Sequence, residues 1–419
     1  MKVLWITNVL FPRACEELGI PKPSLGGWMY SGMQSLREVT PELEIAIATP
    51  YSGSSLKRFE FDGVTYFLVP RSTSVLDYDT HMERHWKAVK ADFPAEVIHI
   101  HGTEYPHGLS YLRSQGPKGA VVSIQGLVSV YERYFFGSIG EDTIRKHRTL
   151  RDLVRRDSLF DQHRSMLARG EWEKEALRMS RHIIGRTNWD RTHAWAINPT
   201  AEYHFCNETL RDSFAQHTWN SELLQRRVIF LSQGHYPIKG MHQAIKALPL
   251  ILRHHPDAKL KVAGNDFLNR KGLRANGYGS YLASEINRLG LRNKVEFTGM
   301  LDENKMVREF LDSSCFLCPS AIENSSNSIG EAQSLGVPCI ASYVGGIRDM
   351  VEDGVTGLVY RFEEIEMLAE SVCRLFDDPS LAQKLSRSGF ARARERHDRT
   401  TNAHRLTEIY RNICSSLSH

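Results

Sequence analysis

One short order starts twice in this chain and restricts the fold more than any other feature. An apolar strand runs into a glycine-bearing loop, and a helix follows. The first start is Val3–Ile6, then a long loop with Pro12, Pro21, Pro23, Gly26 and Gly27, then a helix expected from about Trp28 to Glu38. The second is Arg227–Ser232, a loop through Gln233, Gly234 and Lys239 to Gly240, and a helix from Met241 to His255. This order opens a doubly wound parallel α/β unit. The alternation then continues. Glu44–Ala48, Val64–Val69, Val97–His101, Ala120–Ile124 and His182–Thr187 read as strands of the first half. Leu260–Ala263, Val295–Phe297, Phe316–Cys318 and Pro338–Ser342 do so in the second. The expected fold class is therefore α/β, with two Rossmann-like doubly wound domains facing across a cleft. The expected boundaries are 1–215 and 216–398. Residues 399–419 add a helix, Thr401–Leu417, after the second sheet is complete.

Residues 129–181 break the rhythm. Tyr131, Tyr134, Phe135 and Phe136 precede a helical stretch carrying eight basic residues between Arg145 and Arg169, with acids interspersed. The stretch reads as a basic insert in the first domain. It is either a solvated helical face or a surface that meets an anionic acceptor or a membrane.

A chain of 419 residues with net charge +4 is large enough for two domains, and too weakly basic to imply nucleic acid. Seven scattered cysteines argue for a reducing compartment rather than a disulfide framework. Cys315 and Cys318 form a single C-x-x-C inside an apolar strand, without the second pair a zinc site wants. The opening strand lacks a signal-peptide core, and no stretch is long and apolar enough to span a membrane. The expected location is cytoplasmic, with at most a peripheral contact at the inner membrane face.

The chemistry concentrates in Phe316-Leu317-Cys318-Pro319-Ser320-Ala321-Ile322-Glu323-Asn324-Ser325-Ser326-Asn327-Ser328-Ile329-Gly330-Glu331-Ala332. A strand runs into a polar loop, and a helix follows. Backbone N–H groups and cap side chains over Asn324–Ser328 collect where a helix dipole favours an anion. Glu323 lies in the loop and Glu331 in the opening turns of the helix. One carboxylate can accept from two sugar hydroxyls at once, although an acid near a helix start also simply complements the dipole. Lys239 can reach a phosphate while Gly240 lets the backbone approach. Alone, such a lysine is a surface residue; with the two glutamates and Gly345-Gly346 it reads as phosphate-binding. No G-x-x-x-x-G-K-[ST] is present, nor a G-x-G-x-x-G after the first strand of either half. His101 ends a strand, where a structural histidine is the plainer reading. His99, His101 and His107 lack helical metal spacing, and Asp77-Tyr78-Asp79 reads as a chance match to a metal motif, so no metal is expected.

The second half resembles the family 4 glycosyltransferases, retaining enzymes of the GT-B fold. The resemblance runs in order through Lys239-Gly240, the strand ending at Gly264, Phe297-Thr298-Gly299, Pro319-Ser320, Glu323, Glu331-Ala332, Leu335-Gly336-Val337-Pro338, Val344-Gly345-Gly346 and Gly354–Val359. The first half is similar more loosely, through Gly26-Gly27 and His101-Gly102. Within the family the chain looks like members that build bacterial capsular or exopolysaccharide chains.

The resemblance implies a nucleotide-sugar donor, UDP- or GDP-linked, acting as substrate with no separate cofactor. It implies a glycan or lipid-linked acceptor. Lys239 would hold the diphosphate, Glu331 the ribose and Glu323 the transferred sugar. Asn324, Ser325 and Ser328 would meet sugar and phosphate, Thr298 and Gly299 would flank the base, and Gly26, Gly27, Gly240, Gly345 and Gly346 would admit the diphosphate. The last helix would return to the first domain. The sequence departs from the family twice. Gly234 and Gln233 stand where an arginine usually precedes the lysine, which shifts phosphate charge to Lys239, the helix dipole or another arginine such as Arg186. Gln125 stands where a histidine usually follows the strand, and its role passes to His101 or is dispensed with. The alternatives are a sugar-nucleotide epimerase or phosphorylase of the same fold, or a catalytically silent binding protein.

Overall fold

The structure, a computed structural model, describes residues 1–21, 26–268 and 274–417. Pro23 of the expected first loop lies outside them. Contacts divide the chain into two compact units. The first takes Met1–Glu132, Ser165–Leu210 and His397–His419; the second takes Arg133–Arg164 and Arg211–Arg396.

The first unit holds an eight-stranded sheet: β1 (Lys2–Ile6), β2 (Glu44–Tyr51), β3 (Lys57–Phe61), β4 (Val64–Pro70), β5 (Val97–His101), β6 (Ala120–Ser123), β7 (His182–Gly185) and β8 (Glu202–Phe205). The spatial order is β3-β4-β2-β1-β5-β6-β7-β8, parallel except for the antiparallel pair β3 and β4. The chain runs outward from β1 through β2, then restarts at β5 on the other flank of β1. Strand order reverses between β1 and β5, and ligands of open sheets collect outside the carboxyl ends at such a point.

Successive strand residues face opposite layers, and both layers are covered. Leu4 and Ile6 pack with Trp86, Leu112 and Leu177 on one side. Val3 and Trp5 pack with Met33, Leu36, Tyr410 and Ile413 on the other. A strand buried on both faces has to be apolar throughout, which is why β1 reads as a continuous run. The second layer is made by the helices Gly27–Val39 and Arg399–Leu417. Arg399 Nε donates to Ser35 Oγ at 2.9 Å, and the Thr40 and Thr407 hydroxyls bond at 2.9 Å. The Tyr410 hydroxyl accepts from Trp5 Nε1 at 2.9 Å and bonds His99 Nδ1 at 2.6 Å. The long first loop contains an unforeseen helix, Pro12–Leu18. Pro12 fills its first position and Gly19, at φ 65°, ends it.

The second unit holds a six-stranded parallel sheet: β9 (Val228–Leu231), β10 (Lys259–Val262), β11 (Val295–Phe297), β12 (Cys315–Cys318), β13 (Cys339–Ser342) and β14 (Leu358–Tyr360). Its order is β11-β10-β9-β12-β13-β14, so the reversal falls between β9 and β12. Residues 133–164 group with this unit, whereas the sequence reading places them in an insert of the first domain. They are fastened by polar bonds that leave no periodic trace in the sequence. His242 Nε2 bonds Gly137 O at 2.7 Å, and Thr149 Oγ1 donates to Ala275 O at 2.8 Å. Within this unit Cys315 and Cys318 are buried free thiols. Three positions apart on a strand, they face opposite layers.

Candidate functional site

Three loops leave neighbouring strand ends in the second unit. The loop after β9 carries Lys239 and Gly240, the loop after β12 carries Pro319 to Ser326, and the turn after β13 carries Gly345 and Gly346. The first two straddle the point where strand order reverses.

Lys239 Nζ sits 2.5 Å from Glu323 Oε1, and Ser320 Oγ donates to the same oxygen at 2.8 Å. Burial pulls the Lys239 ammonium down, but Glu323 beside it more than offsets this and holds it above the ordinary lysine range. The three loops are close enough that only glycine fits at two places. Gly240 has φ 69°, and a Cβ there would lie 1.6 Å from Pro319 O. Gly345 has φ 51°, and a Cβ would lie 2.0 Å from Glu323 O. Gly346 N donates to that same carbonyl at 3.0 Å. The sequence-predicted glycines therefore set the spacing of the loops around Glu323.

Glu331 lies in the helix Asn327–Ser334 and pairs with Arg211, whose Nη2 and Nε reach Oε1 at 2.5 and 3.1 Å. Burial pushes the Glu331 carboxyl up, Arg211 opposes it, and the net is upward. Both glutamates follow one plan. Protein donors gather on Oε1 of each, and none of these bonds uses Oε2. Two buried carboxylates, each with one oxygen uncommitted among the described residues and each beside a cation, near a helix start, can take a polyhydroxylated anion.

The remaining predicted donor residues of the second unit lie on strand ends of the same sheet. Ser232 Oγ at the end of β9 donates to Ser328 Oγ at 2.8 Å, which ties that strand to the helix start. Ser325 Oγ accepts from Arg396 Nη2 at 3.2 Å, and Asn324 is buried. Gly299 pairs with Gly264 through N–O bonds of 3.1 and 2.9 Å, closing the ends of β10 and β11 beside Thr298.

Residues 215–392 match the family model described as Glycosyl transferases group 1. Through its second half the chain is similar to the group 1 glycosyl transferases. Relatives among known proteins match part of the chain. Glycogen synthase of Mycobacterium tuberculosis is 28% identical over 172 residues, which are 41% of this chain and 39% of that protein. The chain spans half or less of the length of the first curated relatives it matches. Solved structures match the whole chain. Sucrose-phosphate synthase from Thermosynechococcus elongatus superposes with TM-score 0.72 at 15% identity, covering 99% of this chain and 100% of that one. HepE from Anabaena, solved in complex with UDP-glucose, superposes with TM-score 0.66 at 15% identity, covering 98% and 100%. These likenesses establish the GT-B fold expected from the family 4 resemblance.

Two arginines of the second unit, just outside the matched stretch, carry no signal in the sequence. Arg211 and Arg396 bond Glu331 and Ser325, whereas the further cation expected from the sequence is Arg186. Arg186 lies in the first unit and is buried. It forms an ion pair with Glu208, and its Nη2 donates to the carbonyls of Ile124 and Gln125 at 2.9 and 3.0 Å. Its guanidinium is engaged in holding the end of β6. Gln125 lies above Gly102, with Nε2 3.9 Å from Met29 Sδ.

His101 ends β5 at the reversal point of the first sheet. Its ring stacks on His99 at 3.7 Å and tilts against Trp5 at 4.3 Å, and neither ring nitrogen has a hydrogen-bond partner among the described residues. Burial first, then the neighbouring His99 and His107, hold it well below the ordinary histidine range, so it is neutral. A cavity of about 60 Å3 adjoins it, walled also by Trp28, Met29 and Arg186. Gly26, at φ 80°, precedes the helix of Gly27, and a Cβ at Gly26 would meet Val9 at 2.9 Å.

Asp79 is accounted for by structure. It caps the helix Thr80–Asp92, accepting from His81 N at 2.9 Å and Ser72 N at 2.5 Å. Among the described residues one group, His182, Glu202 and His204, brings metal-ligand atoms together. It lies at the starting ends of β7 and β8, and His182 Nδ1 already bonds His204 Nε2 at 3.1 Å.

Proposed function

We propose that the chain is a retaining glycosyltransferase moving a sugar from a UDP- or GDP-sugar to a glycan or lipid-linked acceptor in cell-surface polysaccharide biosynthesis. The observation that carries this reading is the Lys239–Glu323 pair, at 2.5 Å, on the reversal point between β9 and β12. In the proposed reaction the glycosidic C–O bond breaks as the nucleoside diphosphate leaves. Lys239 and the N-terminus of the helix Asn327–Ser334 stabilise the charge that develops, which removes the need for a metal at that step. Lys239 exchanges Glu323 for a phosphate oxygen. Glu323 Oε2 then accepts from a hydroxyl of the transferred sugar, and Glu331 Oε2 from the ribose. The leaving oxygen takes the acceptor's proton while the acceptor oxygen bonds the anomeric carbon on that same face, which gives retention.

A pocket of about 440 Å3 in the second unit supports a saccharide acceptor. It begins at Ala321, two residues before Glu323, and is walled by Tyr134, Tyr343 and Arg361. Tyr134 and Tyr343 are 43% and 54% exposed, and their rings offer faces on which a sugar can stack. The UDP-glucose complex of HepE adds the support of a shared fold.

The test is Lys239→Ala with a panel of nucleotide-sugars. Turnover should fall about 100-fold or more, in the range found when one charge-stabilising donor is removed. An unchanged rate would reject the assignment of Lys239. Donor binding without transfer to any glycan would point to the silent binding protein.

A further inference from the structure

The helix Leu150–Arg155 in the second unit is built inside out. A helix at a protein surface normally turns its apolar stripe inward. Leu150, Leu153 and Val154 share one face at spacings of three and four, yet they are 63%, 52% and 66% exposed. The inward residue is Asp152, at 2%.

The polar side is fastened firmly. Thr149 and Asp152 form a reciprocal cap, with Thr149 N donating to Asp152 Oδ2 at 2.9 Å and Asp152 N to Thr149 Oγ1 at 3.3 Å. Asp152 Oδ1 also accepts from Gly277 N at 3.3 Å, and Thr149 Oγ1 donates to Ala275 O at 2.8 Å. Arg151 pairs with Asp157 at 2.6 Å. Rolling the leucines inward would break all of these bonds, so the apolar face is held outward. Basic side chains frame it. Arg148, Arg155 and Arg156 are exposed, and Arg155 and Arg156 have no ion-pair partner among the described residues.

We propose that this helix docks on an anionic lipid surface, with Leu150, Leu153 and Val154 entering the interface and Arg148, Arg155 and Arg156 meeting headgroup phosphates. Charge favours lipid over a protein partner, because a few aliphatic side chains ringed by cations match an anionic bilayer. Three side chains are also far short of the roughly 800 Å2 that a stable protein interface buries on each partner. The inference rests on the lipid-linked branch of the proposed acceptor only for its purpose. Binding itself is measured without donor or acceptor, so the two can fail separately.

The experiment floats the full chain with vesicles of phosphatidylcholine alone or of phosphatidylcholine with phosphatidylglycerol. Two double variants accompany it, Leu153→Glu with Val154→Glu and Arg155→Glu with Arg156→Glu. All four positions are exposed, and unchanged melting curves confirm that the variants fold. The expected result is binding to the anionic vesicles alone, weakened at least tenfold by either variant and by added salt. No binding to anionic vesicles, equal binding to neutral ones, or variants that bind like the parent would overturn it. So would a dimer on size exclusion that the leucine-face variant dissolves, since the face would then belong to a second copy.

Discussion

Gly240→Ala separates the geometry of the loops from the charge of Lys239. The substitution carries two costs that can be assigned independently. A left-handed conformation, φ 69°, costs an L-residue about 1–2 kcal/mol. The added Cβ would also stand 1.6 Å from Pro319 O, where real Cβ contacts stay beyond 3.0 Å, so the loops have to part by 1.4 Å (3.0 − 1.6). The clashing atom is a backbone carbonyl, so no side-chain rotation relieves it. The loop that moves leads from Pro319 through Ser320 to Glu323, and displacement by about 1 Å typically costs about 100-fold in rate. Gly290 supplies the control. It has the same φ of 69°, and nothing lies within 4 Å of its Cβ position. Gly290→Ala should show the conformational cost alone. The assay is nucleoside diphosphate release from the donor the panel identifies, alongside thermal melts of both variants. Gly240→Ala should lose about 100-fold in kcat/KM, and Gly290→Ala should stay within a few-fold of the parent. Equal losses in the two, or a folded Gly240→Ala that retains full turnover, would refute the claim that this contact sets the site.

Three further predictions concern buried polar groups. Arg211→Ala leaves Glu331 buried without its cation, which should cost about 3 kcal/mol in urea melts at pH 8, in line with broken buried pairs. The loss should shrink toward pH 5 as the carboxyl protonates, and a pH-independent loss would contradict the pairing. Glu173 is buried, and burial pushes its carboxyl up to about 7 despite hydrogen bonds from Ser129 and Thr103. Its folded pKa lies above the ordinary 4.5, so it adds no penalty below that value; stability falls as pH climbs from 4.5 to 7. The separation of about 2.5 pH units corresponds to about 3 kcal/mol, and Glu173→Gln should remove that slope in melts taken from pH 4 to 8. Parallel profiles for the two proteins would sink the assignment. Tyr410→Phe strips Trp5 Nε1 and His99 Nδ1 of a shared buried partner, and chemical denaturation should register about 1–3 kcal/mol; a neutral result would mean water replaces the hydroxyl.

The central strands were legible because they are apolar on both faces and their loops carry glycines where other loops press close, whereas the edge strands β3 and β8 are largely exposed and polar and gave no such signal. Lys239, Glu323 and Glu331 were legible for a related reason: each sits at a fixed offset from a strand end, so sequence spacing stands in for geometry. Arg211 had no such marker. Its partner Glu331 is 120 positions away, and it belongs to no patterned helix or strand. Arg186 misled in the opposite sense, since a sequence does not reveal that Glu208 and two carbonyls occupy a guanidinium. The placement of residues 133–164 depends on Gly137 and Thr149 bonding His242 and Ala275, contacts that hydrophobic periodicity does not encode.

The bond between Trp5 and Tyr410 also bears on the order of events during synthesis. It joins residues 405 positions apart, and the first sheet's second layer has only the helix Gly27–Val39 until the helix Arg399–Leu417 arrives. At about 5–20 residues per second the ribosome needs roughly 20–80 s to cover that distance. Throughout that interval Met33, Leu36 and the Trp5 face lack the cover that Tyr410 and Ile413 supply. The second unit, drawn from Arg133–Arg164 and Arg211–Arg396, has all its residues out of the ribosome first. The half of the molecule translated earliest is thus the half that closes last, and its nascent form keeps an apolar face partly uncovered until that helix is made.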